Sequence, residues 1–351
     1  MVAAHEVFME RCLQLAALAQ NSVAPNPMVG AVLVYEGRVL AQGFHQQYGG
    51  PHAEVNCLNN LAPGLEKLLP AGTLYVSLEP CAHTGKTPPC ADLIIAKGIK
   101  KVVVACRDPF VQVNGRGIEK LKAAGVEVIL GICEQQALAL NRRFMVQHTL
   151  HRPFVVLKWA QTADGFMAGP GSQRTFISNA ATNRLVHRWR MEESSILVGS
   201  RTALADNPQL NNRYWPGRQP LRLVIDLPLS LPPYLHVLQP TQPTLVFNTK
   251  IHTEQGLVQY YQVTEQVSLI AQMMNALQQR NIQSVLVEGG AYTHQQFFKE
   301  QTWDELRIIT NAALFVGNGI AAPQLPAAAK LVSTQMIGDN QIQIFKNINP
   351  V

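Results

Sequence analysis

The sequence predicts an α/β protein built as two domains, on three observations. Its 351 residues exceed the size at which single hydrophobic cores usually stop growing. Apolar segments of strand length alternate with segments of helical periodicity through both halves, the pattern of a layered α/β fold. A polar stretch, Arg142 to Pro153, ends at a proline and precedes a fresh apolar strand, Phe154 to Trp159, as a domain boundary should. This puts one domain over 1–148 and a second over 152–351.

His5 to Gln20 has the spacing of an amphipathic helix. The turn-rich Ala24-Pro25-Asn26-Pro27 leads into a strand pair, Val29 to Val34 and Arg38 to Gly43. His52 to Leu61 reads as a helix, Thr73 to Leu78 as a buried strand, and Pro89 to Lys97 as a helix opened by proline. The strand Lys101 to Ala105, the helix Ile118 to Ala124 and the strand Val126 to Leu130 complete the first domain. In the second, strands are expected at Phe154 to Trp159, Ser195 to Val198, Leu221 to Ile225, Thr244 to Phe247, Ser284 to Val287, Leu306 to Thr310 and Gln341 to Phe345. There is no internal repeat.

The net charge of +6 and a pI near 9.0 fit nucleic acid, an anionic small substrate or merely a basic surface. No Lys/Arg run decides between them. Met1 to Gln20 is interrupted by His5, Glu6, Glu10 and Arg11, unlike a signal peptide, and nothing is long and apolar enough to span a bilayer. Six cysteines are too sparse for a disulfide framework, so a reducing cytoplasm and metal binding are expected.

The chemistry gathers at His52-Ala53-Glu54, Glu79-Pro80-Cys81 and Cys90 after Pro88-Pro89. This resembles the His-x-Glu and Pro-Cys-x-x-Cys signature of zinc deaminases. One imidazole and two thiolates suit Zn²⁺, and three protein ligands leave a fourth tetrahedral position for water. Each ligand is expected at a helix start, where thiolates are stabilised. Glu54, two residues from a ligand, is placed to move protons as the catalytic acid and base. Eight residues separate Cys81 from Cys90, and this polar, cationic loop offers His83 and Lys86 to an anion or a carbonyl. His83 as a fourth ligand would make a closed structural zinc instead. Cys12, Cys57, Cys106 and Cys133 sit in apolar contexts and are expected in the core.

In the second half no G-x-G-x-x-G lies between a strand and a helix, so a standard Rossmann site is not expected. Val198-Gly199-Ser200-Arg201-Thr202 and Val287-Glu288-Gly289-Gly290-Ala291 each place glycine between a strand and a helical stretch. Phosphate can approach backbone N–H groups closely at such turns. A simple tight turn is the alternative.

Pro25-Asn26-Pro27-Met28-Val29-Gly30, His52-Ala53-Glu54, Glu79-Pro80-Cys81, the long loop to Cys90, and Asp108-Pro109 ahead of Asn114-Gly115-Arg116-Gly117 together resemble the bifunctional riboflavin-biosynthesis deaminase/reductase family. In the second half Lys158-Trp159-Ala160, Phe176-Ile177-Ser178, Thr202 through Asp206-Asn207-Pro208-Gln209-Leu210 to Arg213, and Glu288-Gly289-Gly290 are similar to its reductase. The resemblance implies a cytidine-deaminase-like three-layer fold, then a dihydrofolate-reductase-like fold. It implies deamination of a phosphoribosylamino-pyrimidine on zinc, then NADPH reduction of the ribosyl group to ribityl.

By resemblance Asn26, His45, His83, Lys86 and Thr87 contact the pyrimidine or its ribose phosphate. Ala160, Phe176, Thr202, Asp206 and Gly290 fall where the family contacts NADP. Arg174, Arg190, Leu210, Arg213 and Glu288 fall where it contacts substrate. Phe176 stands where tryptophan is usual, Arg174 where serine is usual, and Phe110-Val111-Gln112 where the family has a second proline and an asparagine. The partners implied are phosphorylated pyrimidines, with neither nucleic acid nor membrane; a homo-oligomer stays open. A nucleic-acid deaminase and a zinc-stabilised nucleotide sensor are the rival readings.

Overall fold

The computed structural model describes residues 2–20, 22–83, 88–110, 113–171 and 175–350. The chain divides into two compact units, Met1–His151 and Arg152–Val351.

The first unit runs α1 (Val2–Ala17), β1 (Gly30–Tyr35), β2 (Arg38–Phe44), α2 (Ala53–Asn59), β3 (Thr73–Val76), α3 (Cys90–Ala96), β4 (Lys101–Val104), α4 (Arg116–Ala123), β5 (Glu127–Leu130), α5 (Glu134–Leu140) and α6 (Arg142–Thr149). The sheet order is β2-β1-β3-β4-β5, with β1 antiparallel to β2 and β3, and β3, β4 and β5 parallel. Alternate residues of the central strands enter opposite cores. Leu33, Leu74, Val76, Val102 and Val104 pack with Cys57 of α2, Ile94 of α3 and Leu121 of α4. Val32, Tyr75 and Val103 pack with Met9 and Cys12 of α1, Ala137 of α5 and Phe144 of α6. Helices on both faces make the three layers, and explain why β1, β3 and β4 read as continuous apolar runs. Glycine permits the closest approaches: a Cβ at Gly30 would overlap the Cys12 carbonyl oxygen, and one at Gly43 the Cys57 backbone.

The second unit runs β6 (Phe154–Thr162), β7 (Phe166–Ala168), α7 (Ala180–Glu192), β8 (Ser195–Gly199), α8 (Ser200–Asp206), β9 (Leu221–Ile225), β10 (Thr244–Asn248), β11 (Val258–Gln262), α9 (Leu269–Gln279), β12 (Ser284–Val287), α10 (Ala291–Lys299), β13 (Glu305–Asn311), β14 (Ile320–Ala321), β15 (Ala329–Ile337) and β16 (Asn340–Asn347). A nine-stranded sheet is ordered β11-β10-β9-β8-β12-β6-β13-β16-β15, parallel from β11 to β13 and antiparallel across β13, β16 and β15. Leu157, Trp159, Phe247, Leu277, Val287, Phe297, Trp303 and Leu306 fill its main core.

The structure corrects several expectations. Much of the polar stretch Arg142 to Pro153 is helix α6, which buries Phe144 and Gln147. The helix expected to be opened by Pro89 starts at Cys90, with Pro89 one residue outside it. Cys12, Cys57 and Cys106 are buried, but Cys133 is half-buried in the left-handed region (φ 57) ahead of α5. Strands β7, β11, β14 and β15 have no counterpart in the sequence reading, and β15 is exposed on both faces.

Candidate active sites

The parallel strands of the first unit end at the loops that carry its reactive side chains. His52 occupies the cap position of α2, φ −71 and ψ 167, so its ring leaves the helix entrance while Glu54 lies in the first turn. Cys90 opens α3. Cys81, expected at a helix start, lies instead in the loop after β3. It takes up the entrance of α3 from outside: its Sγ accepts the Cys90 N–H at 3.3 Å and its carbonyl oxygen the Ala91 N–H at 3.1 Å.

His52 Nδ1 is 3.6 Å from Cys81 Sγ and 3.3 Å from Cys90 Sγ. Among the described residues these three form the one group of three or more His, Cys, Asp or Glu ligand atoms lying within 4.8 Å of one another. Their donor chemistry fits zinc. The Cys81 thiol is pulled down to about 4 by its bond to Cys90 and the nearby His52, against the effect of burial. Cys90 is pushed up by the Cys81 sulfur and by burial. His83 lies outside this cluster and packs against Phe110, ring centroids 5.9 Å apart, which removes its support as a fourth ligand.

Glu54 is 3% exposed. Burial first, then the charge on Cys81, raises its carboxyl to about 7, so it holds and releases a proton near neutrality. His45 is buried, and its ring lies edge-on to His52 at 5.5 Å. Its Nδ1 lies 2.9 Å from the Pro51 carbonyl oxygen, which can only accept, so the proton sits on Nδ1 and Nε2 accepts from the Asn26 amide at 3.1 Å. Burial lowers the His45 pKa, keeping the ring neutral. Asn26 and His45 are thus joined. Lys86 and Thr87 lie outside the described residues.

Glu79 is a site residue the sequence reading quotes without a role. Its carboxylate, 4% exposed, accepts the backbone N–H groups of Asp108 (3.3 Å), Gly115 (3.0 Å), Gly117 (3.0 Å) and Ile118 (3.2 Å). It therefore ties the entrance of α4 to the residues just before Cys81.

In the second unit the two glycine turns are neighbours, because β8 and β12 pair in parallel and each hands over to a helix, α8 or α10. Neither turn needs a left-handed glycine: Gly199 has φ −86 and Gly290 φ −68. A close approach explains them instead. Cβ atoms at Gly199 and Gly289 would crowd Thr293 Oγ1 at 3.1 Å, and one at Gly290 would meet Thr202 Oγ1 at 3.3 Å. Thr202 of α8 and Gly290 ahead of α10 are thus neighbours where β8 and β12 end, and α8 closes on Asp206. Ala160 is half-buried on β6, and Phe176 is 78% exposed.

The expected substrate contacts are redistributed. Arg190 is not a solvated charge: it makes a two-pronged bond to Glu288 at 2.9 and 2.8 Å and donates to the Asn211 carbonyl oxygen at 3.1 Å. Lys158, a residue the sequence reading left without a role, places its Nζ 3.9 Å from Glu288. Despite burial, these cations hold Glu288 down to about 2. Leu210 is buried with φ 52. Arg213 is exposed, bonded to Asn211 Oδ1 at 2.8 Å and lying over the Tyr214 ring at 4.9 Å. Arg174 lies outside the described residues.

Each half of the chain is similar to known proteins. Residues 2–106 match the cytidine and deoxycytidylate deaminase zinc-binding region, and 153–342 match the RibD C-terminal domain. The riboflavin biosynthesis protein RibD of Aquifex aeolicus is 37% identical over 97% of this chain and 97% of its own. That of Bacillus amyloliquefaciens is 36% identical over 98% and 94%. Among solved structures, a Thermotoga maritima diaminohydroxyphosphoribosylaminopyrimidine deaminase/5-amino-6-(5-phosphoribosylamino)uracil reductase superposes with TM-score 0.87 at 34% identity, covering 99% of each chain. Acinetobacter baumannii RibD does so with TM-score 0.88 at 30% identity, covering 99% of this chain and 100% of its own. The chain, a cytidine-deaminase-like domain followed by a RibD reductase domain, belongs to the RibD family of riboflavin-biosynthesis proteins.

Proposed function

We propose that the two halves divide two consecutive steps of riboflavin synthesis. Residues 1–148 deaminate 2,5-diamino-6-(5-phosphoribosylamino)pyrimidin-4-one to the uracil, and residues 152–351 use NADPH to reduce its ribosyl group to ribityl. The observation that carries this is the convergence of His52 Nδ1, Cys81 Sγ and Cys90 Sγ beside the buried Glu54.

His52, Cys81 and Cys90 would hold the zinc, which when bound supplies the Lewis acidity that makes water nucleophilic at neutral pH. Glu54, with its carboxyl near 7, takes one water proton and passes it to the ring nitrogen, then takes the second from the hydroxyl now on the ring carbon and delivers it to the departing ammonia. Asn26 and the neutral His45 orient the pyrimidine. His83, Lys86 and Thr87 are assigned to the ring or the ribose phosphate.

In the reductase, NADPH when bound supplies the hydride. Ala160, Phe176, Thr202, Asp206 and Gly290 are assigned to binding it, and Arg174, Arg190, Leu210, Arg213 and Glu288 to substrate. Within that set Arg190 serves through Glu288 and Asn211, which leaves Arg213 as the described arginine open to a phosphate. Glu288, held at about 2, is an anion at neutral pH, so it orients sugar hydroxyls and does not act as the acid.

A cytoplasmic setting is supported by six free cysteines. A small substrate rather than nucleic acid is supported by the scarcity of stacking surface: among the described residues of the first unit Tyr48 is the one large aromatic classed as exposed, where strand-binding grooves use several. Among the described residues no helix is long and apolar enough to cross a membrane.

The test is zinc-replete protein given the diaminopyrimidinone ribosylamino phosphate with and without NADPH. Ammonia should appear in both cases and nicotinamide absorbance should fall in the second. If neither signal appears, the bifunctional reading is wrong.

A further inference from the structure

Helix α7 carries a buried histidine that the reductase assignment does not use. His187 is 1% exposed. Its Nδ1 lies 3.1 Å from the Arg213 backbone N–H, which can only donate, so Nδ1 is the unprotonated nitrogen and Nε2 carries the hydrogen. Three residues on, and so on the same face of α7, Arg190 donates to the Asn211 carbonyl oxygen at 3.1 Å. Gln219 clamps the residue between, accepting the Asn212 N–H at 2.6 Å and donating to the Asn212 carbonyl oxygen at 2.7 Å. Three consecutive residues are thus each anchored through the backbone by a side chain from outside the segment. The His187 ring also meets the Tyr214 ring edge-on at 4.7 Å, and Tyr214 lies beneath the Arg213 guanidinium.

We propose that His187 is a positioning residue of the reductase half, fixing the Arg213 backbone so that the guanidinium is displayed ready-oriented to the phosphate of a sugar-phosphate substrate. The inference rests on the reading of Arg213 as a substrate contact. A long, flexible cation surrenders rotamer freedom when it binds an anion, and anchoring its backbone before binding reduces that loss. The acceptor role requires an uncharged ring. Burial first, then Arg190 and Arg213, lower the His187 pKa to about 4, with Lys158 acting in the same sense and Glu288 opposing. His187 Nε2 has no hydrogen-bond partner among the described residues. The ring's hydrogen bond within the protein is therefore the one at Nδ1.

His187→Asn and His187→Gln separate this role from mere packing, because the asparagine amide oxygen can stand where Nδ1 stands while the glutamine amide reaches toward Nε2. Binding of ribose 5-phosphate to the full chain, with ribose as control, is followed by calorimetry, and NADPH oxidation by steady-state kinetics. His187→Gln should weaken ribose 5-phosphate about tenfold and raise KM for the phosphorylated substrate similarly, with kcat within about twofold. His187→Asn should recover most of that loss, and Arg213→Ala should add little in the His187→Gln background. The inference is overturned if His187→Gln binds as tightly as the native protein, if the two variants are equally impaired, if the two substitutions add in full, or if native protein does not bind ribose 5-phosphate. Failure of native protein to oxidise NADPH while these binding differences hold would overturn the reductase reading and leave the positioning role standing.

Discussion

Glu79 accepts the backbone N–H of Gly117 at 3.0 Å, and a Cβ at position 117 would overlap the carbonyl oxygen of Pro80. The carboxylate and the absent side chain are two halves of one device, which seats α4 against the turn leading to Cys81. Gly117→Ala should therefore displace Pro80 and, with it, Cys81. Zinc content and ammonia release should fall together, while NADPH oxidation on pre-deaminated substrate persists. Glu79→Gln should act in the same direction, because its amide turns an N–H toward other N–H groups, at a cost of about 1 to 3 kcal/mol. Metal analysis of the purified variants checks both, and full zinc occupancy in Gly117→Ala would count against the device.

The exposed face of Phe176 leads to a separate expectation. If it stacks on the nicotinamide cofactor, Phe176→Ala should raise KM for NADPH about tenfold while leaving kcat at saturation nearly unchanged. An unchanged KM for NADPH would remove Phe176 from the cofactor site.

Glu288 supplies the pH dependence. Its folded-state pKa is depressed from 4.5 to about 2, so its ion pair with Arg190 contributes fully above pH 4.5 and is lost as pH falls toward 2. The contribution is on the order of 3 kcal/mol, from about 1.4 kcal/mol per pKa unit. Hydrogen exchange in α7 and β12 should be flat with respect to this group above pH 4.5, once corrected for intrinsic rates, and lose protection below it. In Glu288→Gln, protection should be lower at neutral pH, because Arg190 stays buried without its counter-charge, and this acid step should vanish. An unchanged acid step in the variant would assign it to another group.

The metal site was legible because its chemistry is local: His52 and Glu54 share one helix entrance, and Cys90 opens the next helix on that face of the sheet. Glu79 was quoted but not understood, since its four partners lie 29 to 39 positions further on and no local spacing announces them. The same is true of Arg190 and Glu288, 98 positions apart. The resemblance offered Arg190 and Glu288 singly as substrate contacts, and only the tertiary structure shows them paired. The central strands announced themselves by apolar runs, because helices or other strands cover them. β15 faces solvent on both sides, so it has neither a run nor an alternation to read. The glycines after β8 and β12 were read as admitting a phosphate or as simple tight turns; within the chain they accommodate Thr293 and Thr202, neighbours that no local spacing announces.

In the function proposed above, Glu54 carries protons at a metal site whose chemistry is distinct from hydride transfer. The most direct measurement is a paired assay on Glu54→Gln protein with its zinc content verified. Ammonia release from the diaminopyrimidinone should fall by a factor of roughly 10² to 10⁴, while NADPH oxidation on pre-deaminated substrate stays at the native rate. Native ammonia release by the zinc-loaded variant, or parallel loss of both activities, would contradict the account.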